Sequence, residues 1–338
     1  MKKIFLILTM IIGLLSCENF ENEFPDYDYT SGYFPYQYPV RTLVLGDYIY
    51  DNSNDNDHKF VISVAMGGVY TNKEDREFTI EVDESLCDNV LFEEGGEPVQ
   101  ALPSDYYTLS SDNSIVIPSG EFNGGVEVQL TEDFFNDPLA IQLGYVVPIR
   151  LVSSADVDTI LSGTPAVSNP DPRNPAHWTV TPKNYTMFAV KFINEYHGTY
   201  FHYGESNVTD ASNSVIESTV YSETYVEQNS TMRLATTGRN QVTASTFLNS
   251  EVMAAEVELV LDFNGNDITV SAPDGSPYTI SGTGQFESKA YSWGNKDRDG
   301  IVLNFTVSDG TNTYEADDVL VIRDRGVVME TYSPVVVQ

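Results

Sequence analysis

This 338-residue chain holds four histidines, fifty acidic residues and two cysteines with the reactivity for catalysis or metal binding. Their spacing argues against most of that chemistry. His58, His177, His197 and His202 are scattered along the chain. His197 and His202 lie five apart in the strand-like "YHGTYFHYG", and a side-chain period of two sends them to opposite faces. No paired cysteine or His-x3-His element offers a structural zinc site. The segment "DYIYDNSNDNDH", residues 47–58, gathers Asp47, Asp51, Asn54, Asp55 and Asp57, the oxygen ligands calcium prefers. It lacks the sixth-position glycine and twelfth-position glutamate of an EF-hand loop and reads more simply as a polar turn. Paired carboxylates for glycoside hydrolysis are defined by a spatial separation of about 5–9 Å, which a sequence neither gives nor denies. No nucleophile elbow, phosphate-binding loop or HExxH element is present, and the acidic residues mostly alternate with apolar ones as the wet faces of strands. The expectation is a protein that is not an enzyme, with no cofactor and no metal.

Flat rings are the remaining signal, with 21 tyrosines, 17 phenylalanines and 2 tryptophans. An aromatic face packs on the apolar C–H face of a pyranose, while amides and carboxylates bond the sugar hydroxyls. Most of these rings suit burial in β structure. Trp178, in a proline-rich stretch, and Trp293, flanked by Tyr291 and Asn295 in "YSWGNKDRDG", fall in segments that read as loops, where rigid scaffolds present their binding residues. Trp293, Trp178, Tyr291 and Asn295 are therefore the candidate ligand contacts.

The elements that must position them begin after residue 16. Lys2 and Lys3 followed by the apolar run Ile4–Leu15 have the shape of an export signal, too short to span a bilayer. Leu14-Leu15-Ser16-Cys17 resembles a bacterial lipobox, cleaved before the cysteine, whose thiol then takes a diacylglycerol. Cys17 is the candidate lipidation site, which makes a lipid anchor the only membrane contact. Removal of residues 1–16 takes away two lysines and leaves 15 basic and 50 acidic residues, a net charge of 15 − 50 = −35. Such a field repels nucleic acid and excludes it as a partner. The small number of cations also tilts the expected ligand toward a neutral polysaccharide or oligosaccharide. With Cys17 acylated, Cys87 has no internal disulfide partner.

Short alternating runs separated by Gly, Asn, Asp and Pro predict an all-β protein. The boundaries fall at a signal peptide over 1–16, a lipidated acidic tether over 17–32, an Ig-like β-sandwich over 33–161, a Pro-rich linker over 162–184 and an antiparallel meander over 185–338. The sandwich is carried by "KFVISVAM", "REFTIEV", "SIVIP", "GVEVQL" and "GYVVPIRLV". Pro148, inside the last of these, predicts an edge or a bulge. The meander, punctuated by Asn264-Gly265, Asp274-Gly275 and Asp309-Gly310, predicts a lipocalin-like up-and-down barrel, with a second sandwich as the alternative.

"YFPYQYPVRTLVLGD", "MGGVYTNKEDREFTIEVDESLC", "PSDYYTLSSDNSIVIPSG", "VTPKNYTMFAVKFIN" and "DDVLVIRDRGVVMETY" resemble a Bacteroidetes family of cell-surface lipoproteins that pair two domains of unknown function. The resemblance implies an outer-membrane, lipid-anchored protein in the SusE/SusF position beside a SusC/SusD-type glycan-uptake complex, its partner, in a non-catalytic glycan-binding role. A structural or adhesive protein that docks to a transporter complex without a sugar site is the alternative. The acidic "ENFENE" after Cys17 is similar to the export signal of such lipoproteins. "HGTY" and "VIRDRG" are similar to the first strand and late arginine of lipocalin-type barrels, which implies that Arg323 packs across Tyr200.

Overall fold

The structure, a computed structural model, describes residues 29–337. Cys17 and the tether up to residue 28 lie outside the described residues. The remainder forms a two-sheet sandwich and a closed barrel.

One sandwich sheet runs in the order Thr159–Ile160, Ser31–Tyr33, Lys59–Gly67, Asn123–Leu130, Tyr107–Leu109. In Lys59–Gly67 the even positions Phe60, Ile62, Val64 and Met66 turn inward and the odd ones face water, as the alternation predicts. The second sheet runs Glu330–Thr331, Pro39–Val44, Tyr185–Ile193, Tyr145–Ser153, Arg76–Val82, Ser114–Ile117. The core between the sheets joins Phe60, Ile62 and Val64 to Phe78, Ile149 and Phe192.

Two features depart from the expectations. Tyr185–Ile193, expected to open the second domain, is a central strand of the sandwich, antiparallel to Tyr145–Ser153 and parallel to Pro39–Val44. Its run "YTMFAVKFI" is buried on both faces, Val190 and Phe192 in the main core and Tyr185, Met187 and Ala189 in a second cluster beneath Val90 and Tyr332. A strand covered on both sides belongs inside a sheet. The Pro-rich stretch thus runs across the sandwich, and the chain passes to the barrel only at Asn194–His197. Pro148 also sits in an interior strand, where it opposes Met187. Its carbonyl accepts from Asp83 N just beyond the end of Arg76–Val82, so the missing N–H falls where that ladder stops.

The barrel has eight strands: Gly198–Thr209, Ser230–Gly238, Gln241–Phe247, Glu256–Asn264, Asp267–Ser271, Thr279–Trp293, Lys296–Ser308 and Thr313–Asp324. Each pairs with the next, and the first and last close the ring in a register from Thr199↔Asp324 to Thr209↔Thr313. Val215–Tyr221 adds a strand beside the first. The interior is filled by side chains: Leu234, Val242, Leu259, Leu261, Ile301, Leu303 and Leu320 have no exposed surface. His202 also points inward and bonds Asp318 Oδ2 through Nε2 at 2.8 Å.

The two units meet around a buried arginine. Arg325 donates from Nη1 to Asp47 O (2.9 Å) and from Nη2 to Leu45 O (3.0 Å) and Asn194 O (2.5 Å). Gly46 lies at the same seam with a φ of 81°, and a Cβ there would come within 2.5 Å of Glu195 Cβ. On the other side of the joint, Arg239 pairs with Glu132 and lies over the Phe135 ring.

His197 stands at this joint and couples it to pH. Its Nδ1 accepts the backbone N–H of Thr236 at 3.0 Å, a role open only to the neutral ring. Burial, with the Arg325, Arg233 and Lys191 charges, pulls its pKa down to about 4 from an ordinary 6.5. Below pH 6.5 the unfolded chain binds a proton that the folded chain refuses until about pH 4. The stabilisation is therefore complete above 6.5 and declines as the pH falls through that window, by at most about 3 kcal/mol. In His197→Gln, denaturant titrations across pH 4–7 are expected to show a shallower acid decline; an unchanged slope would remove His197 as its source.

Candidate functional site: a cleft at the domain joint

The cleft is built by segments far apart in sequence. The sandwich contributes the loop Leu45–Tyr50, which follows strand Pro39–Val44. The barrel contributes the tip of the hairpin Thr279–Trp293/Lys296–Ser308 and the end of its closing strand, and residues 325–328 form one wall. Together they enclose about 530 Å³, within the size range of small-ligand sites, which favour domain interfaces.

Each segment is held in place by its own chemistry. Asn52 Nδ2 donates to Val44 O (2.7 Å) and Gly46 O (2.8 Å) and fixes the base of the 45–50 loop. Asp55, buried, accepts from Val44 N at 2.9 Å and pairs with Arg41. Asp51 accepts from Ser53 N at 3.0 Å. The carboxylates of the calcium-like segment 47–58 that touch the scaffold are thus engaged by protein donors. Among the described residues no group of three or more His, Cys, Asp or Glu is arranged to hold a metal. The same loop presents Tyr48 and Tyr50, whose rings meet edge to face at 5.5 Å. Tyr50 is 70% exposed and its neighbour Ile49 71%. An exposed ring braced by another ring on an anchored loop is a stacking surface.

The hairpin forms the opposite side. Gly294 and Asn295 have φ of 60° and 59°, the left-handed pair that a two-residue turn requires. The expected loop "SWGNKDRDG" is therefore two barrel strands that run on past the barrel and fold over its outer face. The Trp293 indole N–H donates to Ile322 O at 2.9 Å, and Phe201 meets the ring edge-on at 5.3 Å. The Arg298 guanidinium lies over the ring at 4.1 Å. Trp293 thus lines the cleft as a support for Arg298, not as a free platform.

Of the four ring and amide candidates, the structure brings only Trp293 to the cleft. Tyr291 packs against Gly300 and donates to Glu287 Oε2 at 2.8 Å; burial, then that carboxylate, raises its pKa. Asn295 is at the exposed hairpin turn, outside the lining. Trp178 is on the sandwich in the short strand Trp178–Val180, its indole N–H bonded to Asp171 O at 2.7 Å. Trp178→Ala is accordingly expected to leave the affinity of any ligand of the cleft within about twofold, measured by calorimetry; a loss of tenfold or more would move the site to the sandwich.

The Tyr200 partner also changes. Arg323 faces outward beside Asp324, Nε to Oδ2 at 3.4 Å, its side chain half exposed. Arg325, 6% exposed, is the buried arginine at this end of the barrel and shares the cleft with Tyr200. Its pKa is lowered by burial, against the opposing pull of Tyr200 and Glu195. Tyr48, Tyr50, Arg298 and Arg325 are the site residues that sequence reasoning missed. The "DYIYD" alternation of rings in an acidic segment is the signal that could have found the first two.

A filled barrel locked to a sandwich, with a ring-lined cleft at the seam, defines a class of two-domain β protein whose candidate site lies between its units rather than inside the barrel. The chain belongs to a family of two-domain Bacteroides proteins of unknown function. A Bacteroides ovatus structure of unknown function is 36% identical, with a TM-score of 0.85, and the match covers 92% of this chain and 100% of that one. Residues 195–326 match the domain of unknown function DUF5627, and residues 27–158 match a model described as an N-terminal domain. A Bacteroides ovatus multidomain protein including DUF1735 is 12% identical, with a TM-score of 0.43 over 87% of this chain and 94% of that one. No curated protein matches the chain.

Proposed function

We propose that the chain is a lipid-anchored surface protein that holds polysaccharide or oligosaccharide in the interdomain cleft, without chemistry of its own, as an accessory of a SusC/SusD-type uptake complex. The observation that carries this reading is the cleft itself: the exposed Tyr50 ring on an anchored loop faces a hairpin that offers an arginine stacked on an indole. Sugars need that pairing of a flat apolar surface with convergent polar groups. "LLSC" at 14–17, preceded by the basic residues and apolar run of an export signal, supports the anchored location. Among the described residues no helix is long and apolar enough to cross a membrane. Membership of a Bacteroides two-domain family is compatible with a surface accessory role. Calorimetry of the purified chain against plant and host glycans tests the reading, with binding to at least one class expected. Binding to none would favour a protein that docks to a transporter complex and has no sugar site.

A further inference from the structure

We infer that the sugar held in the cleft carries a carboxylate, as a uronic acid does, received by the guanidinium of Arg298 over the Trp293 ring. This rests on the proposed glycan-binding role and reverses the tilt toward neutral sugars that overall charge suggests.

Six of the nine arginines in this chain pair with an acid, and of the other three Arg233 is exposed and Arg325 is engaged by three carbonyls. Arg41, Arg76, Arg150, Arg173, Arg239 and Arg323 each pair with a carboxylate. Such pairing is expected where acidic residues number 50 and Lys and Arg together only 17. Arg298 differs. It is half-buried and stacked on Trp293, and its Nε is shut off from solvent with no hydrogen-bond acceptor. Among the described residues no carboxylate is in ion-pair contact with it. With Nε enclosed, the two Nη groups are the edge left to a ligand. A guanidinium fork held flat by a ring matches the two oxygens of a carboxylate, and stacking has already reduced the freedom it would lose on binding.

The surroundings also favour an anion more than the net charge suggests. Four cationic residues and five acidic ones line the cleft, near balance against 17 and 50 in the whole chain. Strand alternation puts Trp293, Lys296 and Arg298 on one face of the hairpin and Asp297 and Asp299 on the other. Asp299 is further occupied by Lys289 N at 2.8 Å and Ser288 Oγ at 3.1 Å. Asp324 is beside Arg323, and Asp47 is 3.9 Å from Lys289 Nζ. Asp47, Asp299 and Asp324 thus carry their own partners, while the Arg298–Lys296 face does not.

The test uses uronate oligosaccharides (galacturonan, glucuronoxylan, alginate and hyaluronan fragments), each beside its carboxyl-reduced form, titrated calorimetrically into the full mature chain at fixed salt. At least one acidic form is expected to bind ten times or more tighter than its reduced form. Arg298→Gln is expected to bring the two within about twofold, and Arg298→Lys to restore part of the preference. Equal binding of acidic and reduced forms overturns the inference and leaves the glycan-binding reading standing. So does equal weakening of both by Arg298→Gln, which would mark a structural role, and so does capture of sulfated neutral sugars alone. Binding of no glycan, acidic or neutral, removes the glycan-binding reading and the inference with it. Near-ultraviolet circular dichroism of each variant confirms that the fold is retained.

Discussion

Arg325→Met is expected to lower the stability of the folded chain by about 3 kcal/mol, because it takes the Arg325 donors from three carbonyls at the joint between the two units, of which Asn194 O keeps a second donor in His197 N at 3.3 Å. The side chain is 6% exposed and bonds Leu45 O, Asp47 O and Asn194 O, two from the sandwich and one from the crossing segment. Methionine replaces the volume but has no donor. A buried acceptor without a partner costs about 1–3 kcal/mol, and water from the adjacent cleft recovers part of that, which places the total at the low end of the sum. The thermal midpoint should fall by roughly 4–5 °C if the two units melt together. Arg325→Lys keeps the charge but cannot span three acceptors, and should fall between wild type and Arg325→Met. Arg323→Ala, two residues away and half exposed, should change stability by less than about 0.5 kcal/mol. If Arg323→Ala were the more damaging of the two, the lock described at the joint would be misassigned.

Tyr50→Ala is expected to weaken glycan binding by about 2 kcal/mol, roughly thirtyfold, with folding intact. The ring is 70% exposed, so its loss removes little packing from the folded chain. Its cost should appear in the complex, where a sugar face would cover it. Tyr48, less exposed and set edge-on at 5.5 Å, braces the ring; Tyr48→Ala should reduce affinity by a smaller factor by letting the loop wander. Tyr50→Phe, which keeps the stacking face, should bind within about threefold of wild type. A large loss in Tyr50→Phe would assign the role to the hydroxyl instead.

The strands were largely legible from period and punctuation, because alternation reports which side of a sheet is wet. "REFTIEV" is the observed strand Arg76–Val82, and the Asn-Gly and Asp-Gly turns fall in the barrel with glycines at positive φ. Partnership was not legible. The run "YTMFAVKFI" shows burial on both faces, but nothing local says that its neighbours are residues 39–44 and 145–153. Arg323 and Arg325 share a strand parity, so periodicity cannot separate them. The end of the closing strand at Asp324 decides which one turns into the joint. The cleft was hidden for the same reason. Tyr48 and Tyr50 precede Trp293 and Arg298 by more than 240 residues, and only the fold brings them to one surface. Trp293 reads in sequence as a ligand contact because rigid scaffolds present their binding residues on loops. The structure spends both its N–H and its ring within the protein, and the neighbouring arginine inherits the interest.

The measurement closest to the central claim is calorimetric titration of a broad glycan panel into the wild-type chain and into Tyr50→Ala, both purified as residues 18–338. The cleft account predicts saturable binding of at least one glycan by the wild type and a loss of roughly thirtyfold in the variant. Saturable binding that Tyr50→Ala leaves untouched, or no binding to any glycan by a folded wild type, would contradict it.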